Sequence, residues 1–165
     1  DSAGKLFEQG KIFLPQLIQT ASVAQAAFEV IKTTLIERNA APVSRGEIVL
    51  ATVKGDIHDI GKNIVRVLLE NYGYTVLDLG RDVPCQLVAD TAKEHGVKLV
   101  GLSALMTTTL GAMEETIQLV KQSCPDCKIV VGGAVLTADY AEKIGADFYA
   151  KDAMETVAVA KEVVG

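Results

Sequence analysis

From Glu47 onward, short runs rich in aliphatic and β-branched residues alternate with longer segments whose apolar positions recur at helical spacing. The short runs are EIVLATV (47–53), TVLDL (75–79), LVGLSAL (99–105), KIVVGGAV (128–135) and DFYAK (147–151), and each is read as a strand. Between them the 3.6-residue period predicts helices over Gly61 to Asn71, Pro84 to His95, Leu110 to Ser123 and Thr137 to Ile144, with a last helix from about Ala153 to Val163. Pro84 suits a first helical turn, because its missing N–H is not needed there. Gly73, Gly96 and Gly145 suit helix stops.

Strands alternating with helices build βαβ units, and hence a parallel sheet. Five such units predict an α/β, flavodoxin-like (Rossmann-like), doubly wound five-stranded sheet with the first strand central beside the third. The first forty residues follow another pattern. They read as a short helix near Lys5 to Gln9 and a longer one from Leu14 to Arg38, in which LIQTASVAQAAFEVI is apolar at helical spacing. NAAPVSRG then reads as a linker. Two amphipathic helices cannot bury both faces alone, so they must pack on the sheet domain, on a further pair of helices or on a partner; the further pair is favoured, making residues 1–41 part of a helical bundle and 42–165 the sheet domain.

Composition narrows the partners. The chain has 165 residues and a net charge of −5, with its 16 basic residues scattered along it. That distribution argues against nucleic acid, which demands a concentrated basic face. No charged-then-apolar leader or long apolar run is present, so no membrane association is expected. Three cysteines, an odd number, make no disulfide framework. The cytoplasm is the expected compartment.

The candidate chemistry sits in KGDIHDIGKNIV (54–65), at the carboxyl end of the first strand, where doubly wound sheets bind their ligands. A lone histidine there could be a surface residue of a solvated turn. Two features favour a ligand. Asp56 is spaced to accept a hydrogen bond from one ring nitrogen of His58, freeing the other as a donor to a metal. Gly55 and Gly61 bracket the loop, permitting unusual backbone angles and close approach of a bulky group. A phosphate loop does not fit, because five residues separate the glycines, Asn63 replaces the hydroxyl residue and Asp56 and Asp59 would face any phosphate. The neighbouring strand ends carry Gly101, Ser103, Ala104 and Thr107 to Thr109 on one side and Gly132 with Gly133 on the other. The threonines could cap the following helix and the glycines could mark a bulge. Together, these small and hydroxylated positions favour a long ligand inserted edge-on.

DIHDIG resembles the DxHxxG motif of cobalamin-binding domains, and SAL followed by GG resembles that family's two further elements. The segment KLFEQGKIFLPQL resembles part of the helical cap that precedes the cobalamin domain in methionine synthase and corrinoid methyl-carrier proteins. The resemblance implies cobalamin, as methylcobalamin, cob(I)alamin or a related corrinoid, bound base-off with His58 as lower axial cobalt ligand. It implies Asp56 bonded to His58, Thr109 extending the relay, and cofactor contacts from Gly55, Asp59, Ile60, Gly61 and Leu105. Ser103 and Thr107 would touch the displaced dimethylbenzimidazole tail, with Gly132 and Gly133 leaving room for it. Phe7 and Leu14 would lie over the methyl-bearing face. The implied activity is methyl carriage between methyl-donor and methyl-acceptor methyltransferases, with a reductive activation protein as a further partner and no catalysis by the carrier alone.

An adenosylcobalamin isomerase module or a B12-dependent sensor could use the same cofactor domain. The cap-like segment argues against the first, and the lack of a visible basic helix-turn-helix against the second. A flavodoxin-like interaction module without corrinoid is the plainest alternative. CPDC (124–127) closes a helix before a strand, opposite to a thioredoxin motif, and is read as incidental, while Cys85 and His95 are read as structural or surface residues. DAMETVAVAKEVVG reads as a closing helix, which favours a stand-alone carrier over a portion of a larger methionine synthase. The methyl donor is not encoded in any motif.

Overall fold

The computed structural model describes residues 44–165 and, before them, Leu6, Gln9 to Lys11, Phe13, Gln16, Gln19 and Val23. By internal contacts the chain divides into one unit over Asp1–Val43 and another over Ser44–Gly165. In the first, Leu6, Gln16, Gln19 and Val23 are helical, and Lys11 N–H donates to Leu6 O at 2.8 Å across the turn at Gln9 and Gly10. Phe7 and Leu14 lie outside the described residues.

The second unit carries β1 (Glu47–Thr52), α1 (Ile60–Asn71), β2 (Thr75–Asp78), α2 (Cys85–His95), β3 (Leu99–Ser103), α3 (Leu110–Ser123), β4 (Lys128–Gly132), α4 (Ala138–Lys143), β5 (Phe148–Tyr149) and α5 (Ala153–Val163). A 3₁₀ turn, Thr107–Thr109, precedes α3. The five strands form one parallel sheet of order β2-β1-β3-β4-β5, the expected doubly wound arrangement.

Period-two alternation explains why the strands are apolar on both faces. Val49 and Ala51 of β1, with Val100, Leu102, Ile129 and Val131, pack under α2 and α3 against residues such as Val88, Ala92, Met113 and Ile117. The intervening positions Ile48, Leu50, Leu99 and Val130 pack on the opposite face against Leu69 of α1 and Val157 and Ala160 of α5. Each such aliphatic side chain contributes roughly 1.5–3 kcal/mol by leaving water. The order reverses between β1 and β3, so the helices that follow them, α1 and α3, lie on opposite faces and a crevice opens at the strands' carboxyl ends.

The strands end sooner than the apolar runs suggest, always on the crevice side. β4 stops at Gly132 because Gly133 has φ +140 and lies against β3's continuation: a Cβ there would fall 1.9 Å from Ala104 O. β3 stops at Ser103 because, after Ala104 N–H donates to Gly132 O at 3.2 Å, the amides of Leu105 and Met106 turn towards a buried carboxylate, as shown below. α2 begins at Cys85, with Pro84 at the position before the helix. Gly61 differs from its expected role. It lies in the first turn of α1 without positive φ, and a Cβ there would meet nothing within 4 Å, so only Gly55 (φ +85) supplies the unusual backbone angle.

These two glycines give opposite expectations. Gly133→Ala forces a backbone clash and is expected to cost ~3 kcal/mol. Gly61→Ala removes a flexible residue from a helix and should stabilise by ~0.5 kcal/mol. Urea unfolding of both variants checks the signs; a neutral Gly133→Ala contradicts the close approach of β4 to Ala104.

Candidate functional site

The loop between β1 and α1 is held by its neighbours rather than by its own length. Asp56 N–H closes a turn onto Val53 O at 3.0 Å, with Gly55 at its corner. Asp82, in the loop after β2, then buckles the turn from outside. Its carboxylate accepts from Gly55 N–H at 2.7 Å while its own N–H donates to Asp56 O at 2.9 Å. Asp82 is the one non-glycine among the described residues with positive φ, at 53°. Asp tolerates this left-handed conformation better than most residues, which is a reason for its presence there. Below the loop, the buried Lys62 of α1 pairs with Asp78, which also accepts from Gly80 N–H at 2.9 Å. Burial pushes the Asp78 carboxyl up, but Lys62, the Gly80 amide and Arg66 outweigh it and hold it below the ordinary value.

At the centre is Asp56, fully buried. Oδ1 accepts from His58 N–H at 3.0 Å and pairs with His58 Nδ1 at 2.8 Å. Oδ2 accepts from Leu105 N–H at 2.7 Å and Met106 N–H at 3.2 Å, and lies 3.2 Å from Thr109 Oγ1. Burial alone would raise its pKa; the amides of His58 and Leu105, the His58 ring and the Met106 amide more than reverse this and hold it at about 2. An ionised carboxylate only accepts, so the proton of neutral His58 sits on Nδ1 and the Nε2 lone pair is free. The His58 side chain is 46% exposed and lines the crevice. Thr109 has one hydroxyl proton and two acceptors, Asp56 Oδ2 and Met106 O at 2.8 Å, so it serves one of them at a time.

The crevice is a cavity of about 990 Å³ running from the His58 loop across β3 and β4 to the start of α5. Of the residues singled out from sequence, His58, Asp59, Ile60, Gly61, Ser103, Leu105, Gly132 and Gly133 line it. Asp56 and Thr109 lie buried behind it, and Gly55 forms the turn beneath. Thr107 is exposed in the 3₁₀ turn and is not among the lining residues. The glycine pair is required by the fold itself at Gly133, while Gly101 creates space: a Cβ there would come 2.5 Å from Leu50 Cδ2. Sequence reasoning missed Thr52, Asp82 and the far wall at Tyr149 and Thr156, all tied to the site by contacts distant along the chain. The CPDC pair stands apart from the cavity; burial, then the Cys124 thiol, pushes the Cys127 thiol up to about 12, so it stays protonated.

A histidine held by a buried aspartate at the mouth of a long crevice in this sheet is the arrangement of a cofactor domain, and comparison with known proteins says which. Residues 46–158 match the B12 binding domain family model, and a second model of the same description matches residues 1–32. The chain belongs to the B12 binding domain family. It is 45% identical to dimethylamine corrinoid protein 1 of Methanosarcina acetivorans, over 99% of this chain and 78% of that one. A cobalamin-binding protein from Desulfitobacterium hafniense matches in structure with a TM-score of 0.79 and 36% identity, covering 98% of this chain and 76% of that one. The methanol:cobalamin methyltransferase complex of Methanosarcina barkeri matches with a TM-score of 0.81 and 32% identity, over 96% of this chain and 60% of that chain.

Depression of the Asp56 pKa from 3.8 to about 2 means its ionised form stabilises the fold by on the order of 2 kcal/mol. That contribution is complete above pH 3.8 and disappears as pH falls through about 2. Asp56→Asn aims an amide N–H₂ at groups that are themselves donors. The variant is expected to be less stable than wild type at pH 7, with the two unfolding curves converging as pH approaches 2. A gap independent of pH contradicts the role of the charge.

Proposed function

We propose that the chain is a corrinoid methyl carrier that binds cobalamin base-off, with His58 as the lower axial ligand of cobalt, and serves methyltransferase partners. The observation that carries this reading is the single solvent-facing imidazole nitrogen, prepared by Asp56, at the edge of the crevice. The residues fit the group. No cluster of three or more metal-ligating side chains exists among the described residues, so His58 stands as a lone donor, suited to a metal whose other ligands come with its macrocycle. Beside it, Ile57, Ile60 and Leu105 are exposed apolar side chains able to lie under a flat ring, and the crevice has the volume and largely apolar walls for a nucleotide tail. When bound, cobalamin supplies a cobalt centre that accepts and surrenders a methyl group.

The protein's own work is to hold and release one nitrogen. Asp56 keeps the Nδ1 proton in place, so Nε2 is available as a lone-pair donor. The ionised carboxylate would keep the ring in that orientation whether or not Nε2 held the metal. Thr109 can turn its proton from Met106 O towards Asp56 Oδ2 or away from it, trimming that charge without moving the backbone. Ser103, with the small residues of β3 and β4, lines the part of the crevice assigned to the tail.

The chain by itself positions the group, and the partner enzyme selects the donor. Relatives that share this scaffold are named for dimethylamine in one case and methanol in another, which supports a carrier that does not encode its donor. Such relatives favour a methyl carrier over an isomerase module or a sensor. No helix among the described residues is long and apolar enough to cross a membrane. The free thiols of Cys85, Cys124 and Cys127 support a cytoplasmic location.

Reconstitution with methylcobalamin, followed by absorbance spectroscopy, tests the ligand. Wild type is expected to show the base-off, His-on spectrum, while His58→Ala retains some corrinoid but loses that signature. An identical spectrum in both proteins contradicts the assignment.

A further inference from the structure

Thr52, the last residue of β1, is fully buried, and its Oγ1 lies 2.9 Å from Ser103 Oγ. The two residues are register partners across the β1–β3 ladder. We infer that Thr52 is a positioning residue that fixes the proton polarity of Ser103, so that the cavity offers a hydrogen-bond donor and prefers a cofactor tail whose base carries an acceptor nitrogen. The inference rests on the reading that the tail lies in this cavity.

Each hydroxyl has one proton and two lone pairs, so the Thr52–Ser103 contact can be made in two ways. If Ser103 donates, the Thr52 proton needs another acceptor, and Thr52 Oγ1 has no other hydrogen-bond partner among the described residues. A donor stranded at a fully buried site is costly. If Thr52 donates, its proton is satisfied and one Ser103 lone pair is used. The Ser103 proton then turns to the one open side available to it, the cavity that Ser103 lines. A hydroxyl that already accepts a hydrogen bond is also a better donor.

On the sheet wall Ser103 is the side chain that reads polarity, because the hydroxyls of the far wall already donate elsewhere, Tyr149 to Leu136 O at 3.2 Å and Thr156 to Asp152 O at 3.4 Å. Leu50, Gly101, Val130 and Gly132 share its face of the sheet by the period of two and line the same cavity without a polar side-chain atom. An aromatic base with a ring nitrogen, such as a benzimidazole, gives the Ser103 proton an acceptor. A phenolyl tail, which has no ring nitrogen, does not.

The test is equilibrium binding of cobalamin and of a phenolyl cobamide to wild type, Thr52→Val, Thr52→Ser and Ser103→Ala. The measured quantity is each variant's ratio of the two dissociation constants relative to wild type. The different cost of detaching each tail in free solution cancels in that comparison. Thr52→Val is expected to weaken cobalamin binding about two- to tenfold, the range of one net hydrogen bond, while the phenolyl cobamide changes little. Thr52→Ser keeps the wild-type ratio, and Ser103→Ala loses the preference at least as fully as Thr52→Val. Equal weakening of both ligands by Thr52→Val makes the effect one of packing and overturns the inference. So does a cobalamin-specific loss in Ser103→Ala that Thr52→Val does not share. If Ser103→Ala leaves both affinities at wild-type values, the tail does not lie against Ser103, and the cavity assignment falls with the inference.

Discussion

One buried carboxylate ties the site together. Asp56 sits at the end of the first strand yet accepts from the amides of Leu105 and Met106 beyond the third, while its other oxygen holds both the backbone and the ring of His58. A charge removed from water is tolerated only where hydrogen bonds replace the water, and here the fold brings donors from two loops to do so. Loop closure, the direction in which β3 ends and the tautomer of His58 therefore depend on the same ion. A neutral residue at this position would loosen all three.

The doubly wound sheet makes that convergence available. Because the strand order turns between β1 and β3, their carboxyl ends diverge into helices on opposite faces and leave a gap between them. The gap is lined on one face by alternate residues of β1, β3 and β4, whose small side chains leave volume where a filled core would otherwise continue. The supporting contacts lie one layer further out, in the Asp82 buckle and the Lys62–Asp78 pair. They immobilise the loop before any ligand arrives, which lowers the entropy lost on binding.

The arrangement of strands and helices was readable because both signals are local: apolar runs of strand length and helical spacing between them. Asp56 and His58 were legible for the same reason, being two residues apart in one loop. Asp82 and Thr52 were not, since each acts through a partner many residues away. The amides of Leu105 and Met106 carry no side-chain signature at all, because any residue but proline offers the same N–H. Among three adjacent threonines, only the turn geometry singles out Thr109 as the one facing Asp56 and leaves Thr107 exposed. Gly61, expected to bracket the loop and allow unusual backbone angles, lies within the helix, where an open exterior rather than backbone freedom distinguishes it.

In the proposed function the axial nitrogen on cobalt comes from His58 and not from the cofactor's own base. Electron paramagnetic resonance of the cob(II)alamin-loaded protein, grown with ¹⁵N-histidine and compared with the unlabelled protein, tests it directly. The superhyperfine triplet from an axial ¹⁴N is expected to become a doublet on labelling. A triplet that persists in the labelled protein contradicts the assignment of His58 as the cobalt ligand.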